Sequence, residues 1–241
     1  MTGGQVCDNN LHIAEYSTMA SKEEVMNIWK SCDCVCFDVD STVCQDEGID
    51  ELAFYMGKGE EVANLTKVAM QGSMTYQESI SKRLKILQPS QKDIVEFVTK
   101  RPPRLTPGIQ ELVQKLQDRN VDVYLISGGF VSIITPVANE LKIPLTNLIA
   151  NKLFFYHDGG YAGIDTSVPV CRSGGKPEVI GQLIQKKGYK NLVHVGDGAT
   201  DMEACPPAHA FIGFGGNQVR DKVRSGSKWF VMDFQEMIDS L

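Results

Sequence analysis

Phe37-Asp38-Val39-Asp40-Ser41-Thr42-Val43 decides how this chain of 241 residues is read. The apolar run Cys34-Val35-Cys36-Phe37 leads into two carboxylates and two hydroxyls, an arrangement that burial of apolar surface alone does not explain. On an extended chain, side chains two apart share a face, so a strand ending here sets Asp38 beside Asp40. Two such charges call for a cation or a shared proton, and a hard divalent ion meets that need. The alternative is that Asp40-Ser41-Thr42 is a polar turn that leaves the strand and caps the next segment.

On the N-terminal side, Ser21-x-x-Glu24 has the form of a capping box, and Val25, Ile28 and Trp29 give the helix behind it an apolar stripe. Residues 1–20 are polar and without periodicity, and are read as a flexible tail. On the C-terminal side, residues 46–102 contain no convincing strand. They carry helical stripes at Ile49, Leu52, Ala53 and Met56 and at Val62, Leu65, Val68 and Ala69, then capping boxes at Thr75-x-x-Glu78 and Ser90-x-x-Asp93. Pro102-Pro103 ends the run, because a residue before proline is pushed out of the helical region. The segment is expected to be a small helical cap inserted after the first strand.

Beyond it, strands and helices alternate. A helix is expected to start at Thr106-Pro107, followed by a strand over 121–126 that ends at Ser127-Gly128-Gly129. The next helix contains Pro136, which should disturb it. Residues 147–156 and 160–164 suggest a hairpin. A helix over 176–187 and strands at 192–195, 210–213 and 229–232 complete the pattern. Such alternation implies an α/β fold, a doubly wound parallel sheet with helices on both faces. The core is assigned to 21–45 and 103–241 and the cap to 46–102. Ligands of such sheets sit beyond the carboxyl ends of the strands, where three polar clusters fall: Asp38 to Thr42, Ser127 to Gly129, and Gly196 to Asp201.

Composition narrows the classes. Hydrophobic residues make up 42% and charged residues 22%, and no stretch is long and apolar enough for a membrane span. A net charge of −6 argues against non-specific nucleic-acid binding, which draws on clustered Lys and Arg. No basic-then-apolar leader is present, so secretion is not expected. The seven cysteines show no Cys-x-x-Cys spacing; Cys34 and Cys36 read as small buried hydrophobes, and reduced thiols point to the cytoplasm.

Each cluster has a bland reading and a chemical one. Gly128 and Gly129 let backbone amides approach an anion, with the Ser127 hydroxyl adding a donor and the next helix its positive end; an ordinary strand-to-helix turn has the same composition. Lys176, after Ser173-Gly174-Gly175, supplies a compact charge suited to a phosphate oxygen, or is a solvated helix residue. Asp197 and Asp201 allow one carboxylate to reach a metal while the other supports it, or are an acidic helix start.

Taken together, Asp38-x-Asp40-x-Thr42-Val43, Ser127, Lys176 and Gly196-Asp197-Gly198-x-x-Asp201 resemble, in order and spacing, the haloacid dehalogenase superfamily of phosphohydrolases, over about residues 34 to 235. Within it, Glu47-Gly48-Ile49-Asp50-Glu51-Leu52, Leu125 to Phe130 and Gly196 to Pro207 are most similar to the phosphoserine phosphatases. The resemblance implies a Rossmann-type core and Mg²⁺-dependent hydrolysis of O-phosphoserine, the last step of serine biosynthesis, through an aspartyl phosphate. Asp38 would be the nucleophile and Asp40 the acid and base. Ser127, Gly128, Gly129 and Lys176 would hold the phosphoryl group. Mg²⁺ would lie on the Asp38 carboxylate, the Asp40 carbonyl and Asp197, with Asp201 supporting. Glu47 and Arg83 match the positions that take the substrate ammonium and carboxylate. Met70, Gln71, Thr200 and Arg220 align with further substrate contacts, although Gln71 departs from an expected glycine. Tyr76 occupies an aromatic position of the cap, and a homodimer is implied by likeness. The alternatives are a phosphatase or phosphotransferase of the superfamily acting on another small phosphate monoester, and an idle binding protein on the same fold.

Overall fold

The computed structural model describes residues 21–68 and 75–241; the tail read over 1–20 lies outside them. Helix α1 (Lys22–Lys30) opens on the expected capping box, Ser21 accepting the Glu24 amide while Glu24 reaches back to the Ser21 amide. These bonds satisfy donors that a helix start leaves unpaired. Val25 and Trp29 turn inward, and the Trp29 indole donates to the Met237 carbonyl at 3.1 Å.

The strands are β1 (Cys34–Phe37), β2 (Asp122–Phe130), β3 (Leu148–Asn151), β4 (Leu153–Phe155) and β5 (Tyr161–Ile164). They continue with β6 (Leu192–Gly196), β7 (Ala210–Phe214) and β8 (Trp229–Val231). Six form one sheet in the order β3-β2-β1-β6-β7-β8, every pairing parallel. β1 lies between β2 and β6, with Cys34 opposite both Asp122 and Leu192. The chain leaves β1 toward one edge and returns on its other side, so the end of β1 is the topological switch point at which such sheets bind ligands.

Burial on both faces explains the apolar strand. Val35 and Phe37 pack into the layer containing Trp29, Leu112 and Phe234, while Cys34 and Cys36 face Val179 and Ile180. The cysteines are thus small core residues, as read. Between β1 and β2 lie α2 (Gly48–Tyr55), α3 (Gly59–Val68), α4 (Tyr76–Leu87) and α5 (Gln91–Lys100). They gather around a separate apolar cluster containing Leu52, Val62, Leu84 and Phe97, which Phe130 enters from the end of β2.

The remaining helices are α6 (Ile109–Asp118), α7 (Val131–Glu140), α8 (Gly175–Lys187), α9 (Ala199–Met202), α10 (Asp221–Gly226) and α11 (Phe234–Asp239). Several boundaries differ from the reading. α6 starts two residues late, on Gly108 with φ 84°, because the Thr106 hydroxyl is used elsewhere, donating to the Thr42 carbonyl at 2.6 Å. α7 runs through Pro136, which leaves the Ser132 carbonyl without its usual amide. The 147–156 stretch splits: 148–151 joins the large sheet and 153–155 alone pairs with β5. β2 extends to Phe130, with a register shift against β3 between Ile126 and Phe130, so Ser127-Gly128-Gly129 sits in an irregular strand end and not in a turn after it.

Candidate active site

The turn beyond β1 is locked from several sides. The Asp38 amide continues the ladder to the Val195 carbonyl at 2.9 Å. Ser41 then adopts φ 56°, a left-handed conformation uncommon for a residue with a side chain. The Asn217 amide nitrogen lies 3.2 Å from the Ser41 carbonyl, 3.3 Å from those of Thr42 and Cys44, and 2.6 Å from the Thr106 hydroxyl. Within this turn the two carboxylates have different partners. Asp38 Oδ1 meets Lys176 Nζ at 2.7 Å. Asp40 Oδ1 accepts the Gly48 amide at 2.7 Å, and its Oδ2 lies 3.4 Å from the Ser127 hydroxyl.

Lys176 reaches the site because the chain enters α8 tightly: Gly174 takes φ 77°, and a side chain on Gly175 would overlap the Pro169 carbonyl. Its ammonium lies 2.5 Å from Asp201 Oδ1, which also contacts His194 Nε2 at 2.9 Å; Asp201 Oδ2 accepts the Gly198 amide at 3.0 Å. Asp197 accepts Arg220 Nε at 2.7 Å and the Thr42 hydroxyl at 3.2 Å. The second arm of Arg220 is 3.4 Å from Glu47, which also takes the Ser41 hydroxyl at 2.8 Å.

Burial and charge set the protonation tendencies. Burial, then Asp201, push Asp38 well above the carboxylate range against the pull of Lys176. Burial and neighbouring Glu47 raise Asp40 to about 7, opposed by the Gly48 amide. Asp197 is raised by burial despite Arg220. Asp201 behaves oppositely: burial pushes it up, but Lys176 and His194 together hold it below the usual range. Burial likewise works against the Lys176 charge, yet Asp201 and Asp38 raise it.

The donor set fits a hard cation. Asp38, Asp197 and Asp201 each offer an oxygen within 4.8 Å of the others. Together with Asp40 and Glu47, these carboxylates outnumber the cations bonded to them, Lys176 and Arg220, and oxygen ligands of this kind suit a divalent metal ion. Asp201 already bonds Lys176, His194 and an amide, which favours a supporting place for it.

A cavity of about 540 Å³ opens over these groups. Asp38, Asp40, Gly128, Gly129, Lys176, Asp197, Thr200, Asp201 and Arg220 line it from the sheet side, and Glu47, Asp50, Tyr76 and Arg83 line it from α2 and α4 and their approaches. Ser127 is fully buried and accepts the Gly129 amide at 2.8 Å. Arg83 Nε and Asp50 Oδ1 are buried without a hydrogen-bond partner among the described residues. Met70 and Gln71 lie outside the described residues.

Sequence reasoning missed three groups: Asn217, His194 and the hydroxyl of Tyr76, which donates to the Gly128 carbonyl at 2.6 Å. Asn217 had a signal, since Gly215-Gly216 marks a fourth strand end beside β6. His194 had none, being one polar residue in an apolar strand.

The sequence pattern of the haloacid dehalogenase-like hydrolases matches residues 32–209. The phosphoserine phosphatase of Bos taurus is 52% identical over 223 residues, covering 92% of this chain and 99% of that protein. The solved structure of DsGPDH of Dunaliella salina superposes with a TM-score of 0.81 at 35% identity, over 92% of this chain but 38% of that one. A phospho-aspartyl intermediate analogue of phosphoserine phosphatase superposes with a TM-score of 0.75 at 26% identity, covering 87% of this chain and 99% of that one.

Proposed function

The chain belongs to the haloacid dehalogenase-like hydrolases, and from that premise we propose that it is a phosphoserine phosphatase, hydrolysing O-phospho-L-serine to L-serine and phosphate. The observation that carries the reading is the Lys176 ammonium held between Asp38 and Asp201, facing a cavity whose opposite wall presents Arg83 and Glu47. A phosphomonoester dianion fits the first wall. A ligand with both a carboxylate and an ammonium fits the second.

Residues 46–102 act as a cap over a core of 21–45 and 103–241. Asp38 attacks phosphorus, forming an acyl phosphate as the bond to the serine oxygen breaks, and Asp40 gives that oxygen its proton. Water then attacks the same phosphorus, Asp40 takes the water proton, and the bond to Asp38 breaks. The raised value of Asp40, about 7, suits a group that must both give and take a proton near neutrality. Ser127, the amide of Gly128, Gly129 and Lys176 hold the phosphoryl oxygens. Asp38, the carbonyl of Asp40 and Asp197 would hold Mg²⁺, with Asp201 supporting. Bound there, the ion would neutralise phosphoryl charge. Arg83 takes the serine carboxylate through two parallel bonds, and Glu47 takes the ammonium. Met70, Gln71, Thr200 and Arg220 complete the contacts.

We place the reaction in the cytoplasm, which the unpaired thiols of Cys34 and Cys36 support. No helix among the described residues is long and apolar enough to cross a membrane. The net charge of −6 supports a small-molecule substrate over nucleic acid. The homodimer implied by family likeness is tested by light scattering.

The central experiment measures phosphate release from O-phospho-L-serine with Mg²⁺, with excess EDTA, and after Mg²⁺ is restored. Turnover that disappears and returns is expected. Absence of metal-dependent turnover would overturn the assignment.

A further inference from the structure

Tyr76 is the first residue of α4, held there by the capping box between Thr75 and Glu78. Its ring packs against the apolar cluster of α2 to α5, and its hydroxyl crosses to the sheet to donate to the Gly128 carbonyl at 2.6 Å. That carbonyl also accepts the side-chain amide of Asn151, on β3, at 2.7 Å. Its two acceptor positions are therefore filled, one from α4 and one from the neighbouring strand.

The carbonyl of Gly128 and the amide of Gly129 belong to one rigid plane. Fixing the oxygen aims the N–H, which donates to Ser127 Oγ at 2.8 Å. A hydroxyl that accepts this bond keeps its own proton to give, and in the structure it gives it to Asp40 Oδ2 at 3.4 Å, a long bond that a nearer phosphoryl oxygen can replace. Glycine at 128 is needed for this close approach, since a side chain there would overlap the Tyr76 hydroxyl.

We infer that Tyr76 is a positioning residue: with Asn151 it sets the Gly128–Gly129 peptide so that the Ser127 hydroxyl proton is directed at a phosphoryl oxygen, and it does so when α4 is seated on β2. The inference rests on the phosphoryl cradle proposed above. It makes the seating of the cap part of the anion site itself, through a hydroxyl bonded to the Gly128 carbonyl.

The test is a double-mutant cycle of Tyr76→Phe and Ser127→Ala, read by calorimetric titration of inorganic phosphate into the full chain with Mg²⁺ present. Tyr76→Phe keeps the ring and removes one oxygen. The phosphate Kd is expected to rise about fivefold, the equivalent of ~1 kcal/mol for one net hydrogen bond. In the Ser127→Ala background the same change should cost less than about twofold, because the group through which Tyr76 acts is gone. An equal or larger penalty in that background, no penalty in either, or no phosphate binding by the unsubstituted protein overturns the inference. Turnover of O-phospho-L-serine is measured separately. Turnover with an additive cycle sinks this inference alone, and a coupled cycle without turnover sinks the substrate assignment alone.

Discussion

The two walls of the cavity are built on opposite principles. On the sheet side, Asp38, Lys176, Asp201 and His194 form one bonded chain and Asp197 with Arg220 a bonded pair, nearly all of it buried, with His194 Nδ1 left without a partner among the described residues. On the helical side, Arg83 Nε and Asp50 Oδ1 are buried without partners among the described residues. A buried polar atom without a partner costs roughly 1–3 kcal/mol, so the second wall offers a donor and an acceptor that a ligand's polar groups could satisfy. The groups proposed to act on phosphorus are held in place by their bonds to one another, which is where preorganised charge does most for a transition state. Arg83, proposed to take the serine carboxylate, is left with a bond to make, whereas Glu47 already takes the Ser41 hydroxyl and an arm of Arg220.

The contrast is broken most forcefully through Asp38, the proposed nucleophile. Asp38→Asn should lower kcat by roughly 10⁴-fold or more for every phosphate monoester tried; undiminished turnover would remove Asp38 from the chemistry. Next comes Asp40→Asn, expected to cost on the order of 10³-fold with O-phospho-L-serine, whose alkoxide needs a proton to leave. The formation of the phosphoenzyme from an aryl phosphate should suffer much less, and equal losses in pre-steady-state bursts would deny Asp40 the role of acid. Lys176→Met should cost on the order of 10²-fold in kcat. It should also destabilise the fold by about 3 kcal/mol or more in urea titration, since Asp38 and Asp201 lose a buried counter-charge.

The helical wall predicts a smaller and more selective effect. Arg83→Lys should reduce kcat/KM for O-phospho-L-serine by about tenfold to a hundredfold, because the ammonium cannot reproduce the paired bonds of a guanidinium. An aryl phosphate should be processed nearly as before, and the urea midpoint should not fall. A matching loss on both substrates, or a destabilisation like that of Lys176→Met, would erase the distinction between the walls.

Much of this was legible because it depends on period and position. The capping boxes at Ser21, Thr75 and Ser90 form as read, since each rests on residues three apart. The strand ends that carry Asp38, Ser127 and Asp197 converge because a parallel sheet aligns its carboxyl ends. The misreadings depend on partners far along the chain. Thr106 looked like a helix cap by its neighbours, but the Thr42 carbonyl, 64 residues away, takes its hydroxyl. β2 was expected to stop at Ser127, as the glycines suggest locally, yet β3 keeps it extended to Phe130. His194 is one polar residue in an apolar run, and its partner Asp201 becomes visible as such when β6 and α9 are folded against each other.

The position of β1 also has a consequence for a chain emerging from the ribosome. Asp38 is made before either neighbour of its strand, which is flanked by segments beginning at Asp122 and Leu192. A nascent chain that has reached Gly188 already contains Asp38, Asp40, Ser127 and Lys176, and still lacks β6, Asp197, Asp201 and the Asn217 clamp. β1 then has an open edge and Lys176 has one of its two carboxylates. Assembly of the site is thereby deferred until β6 and the segments that follow it have been made, and hydrolytic competence arrives together with the closing of the sheet.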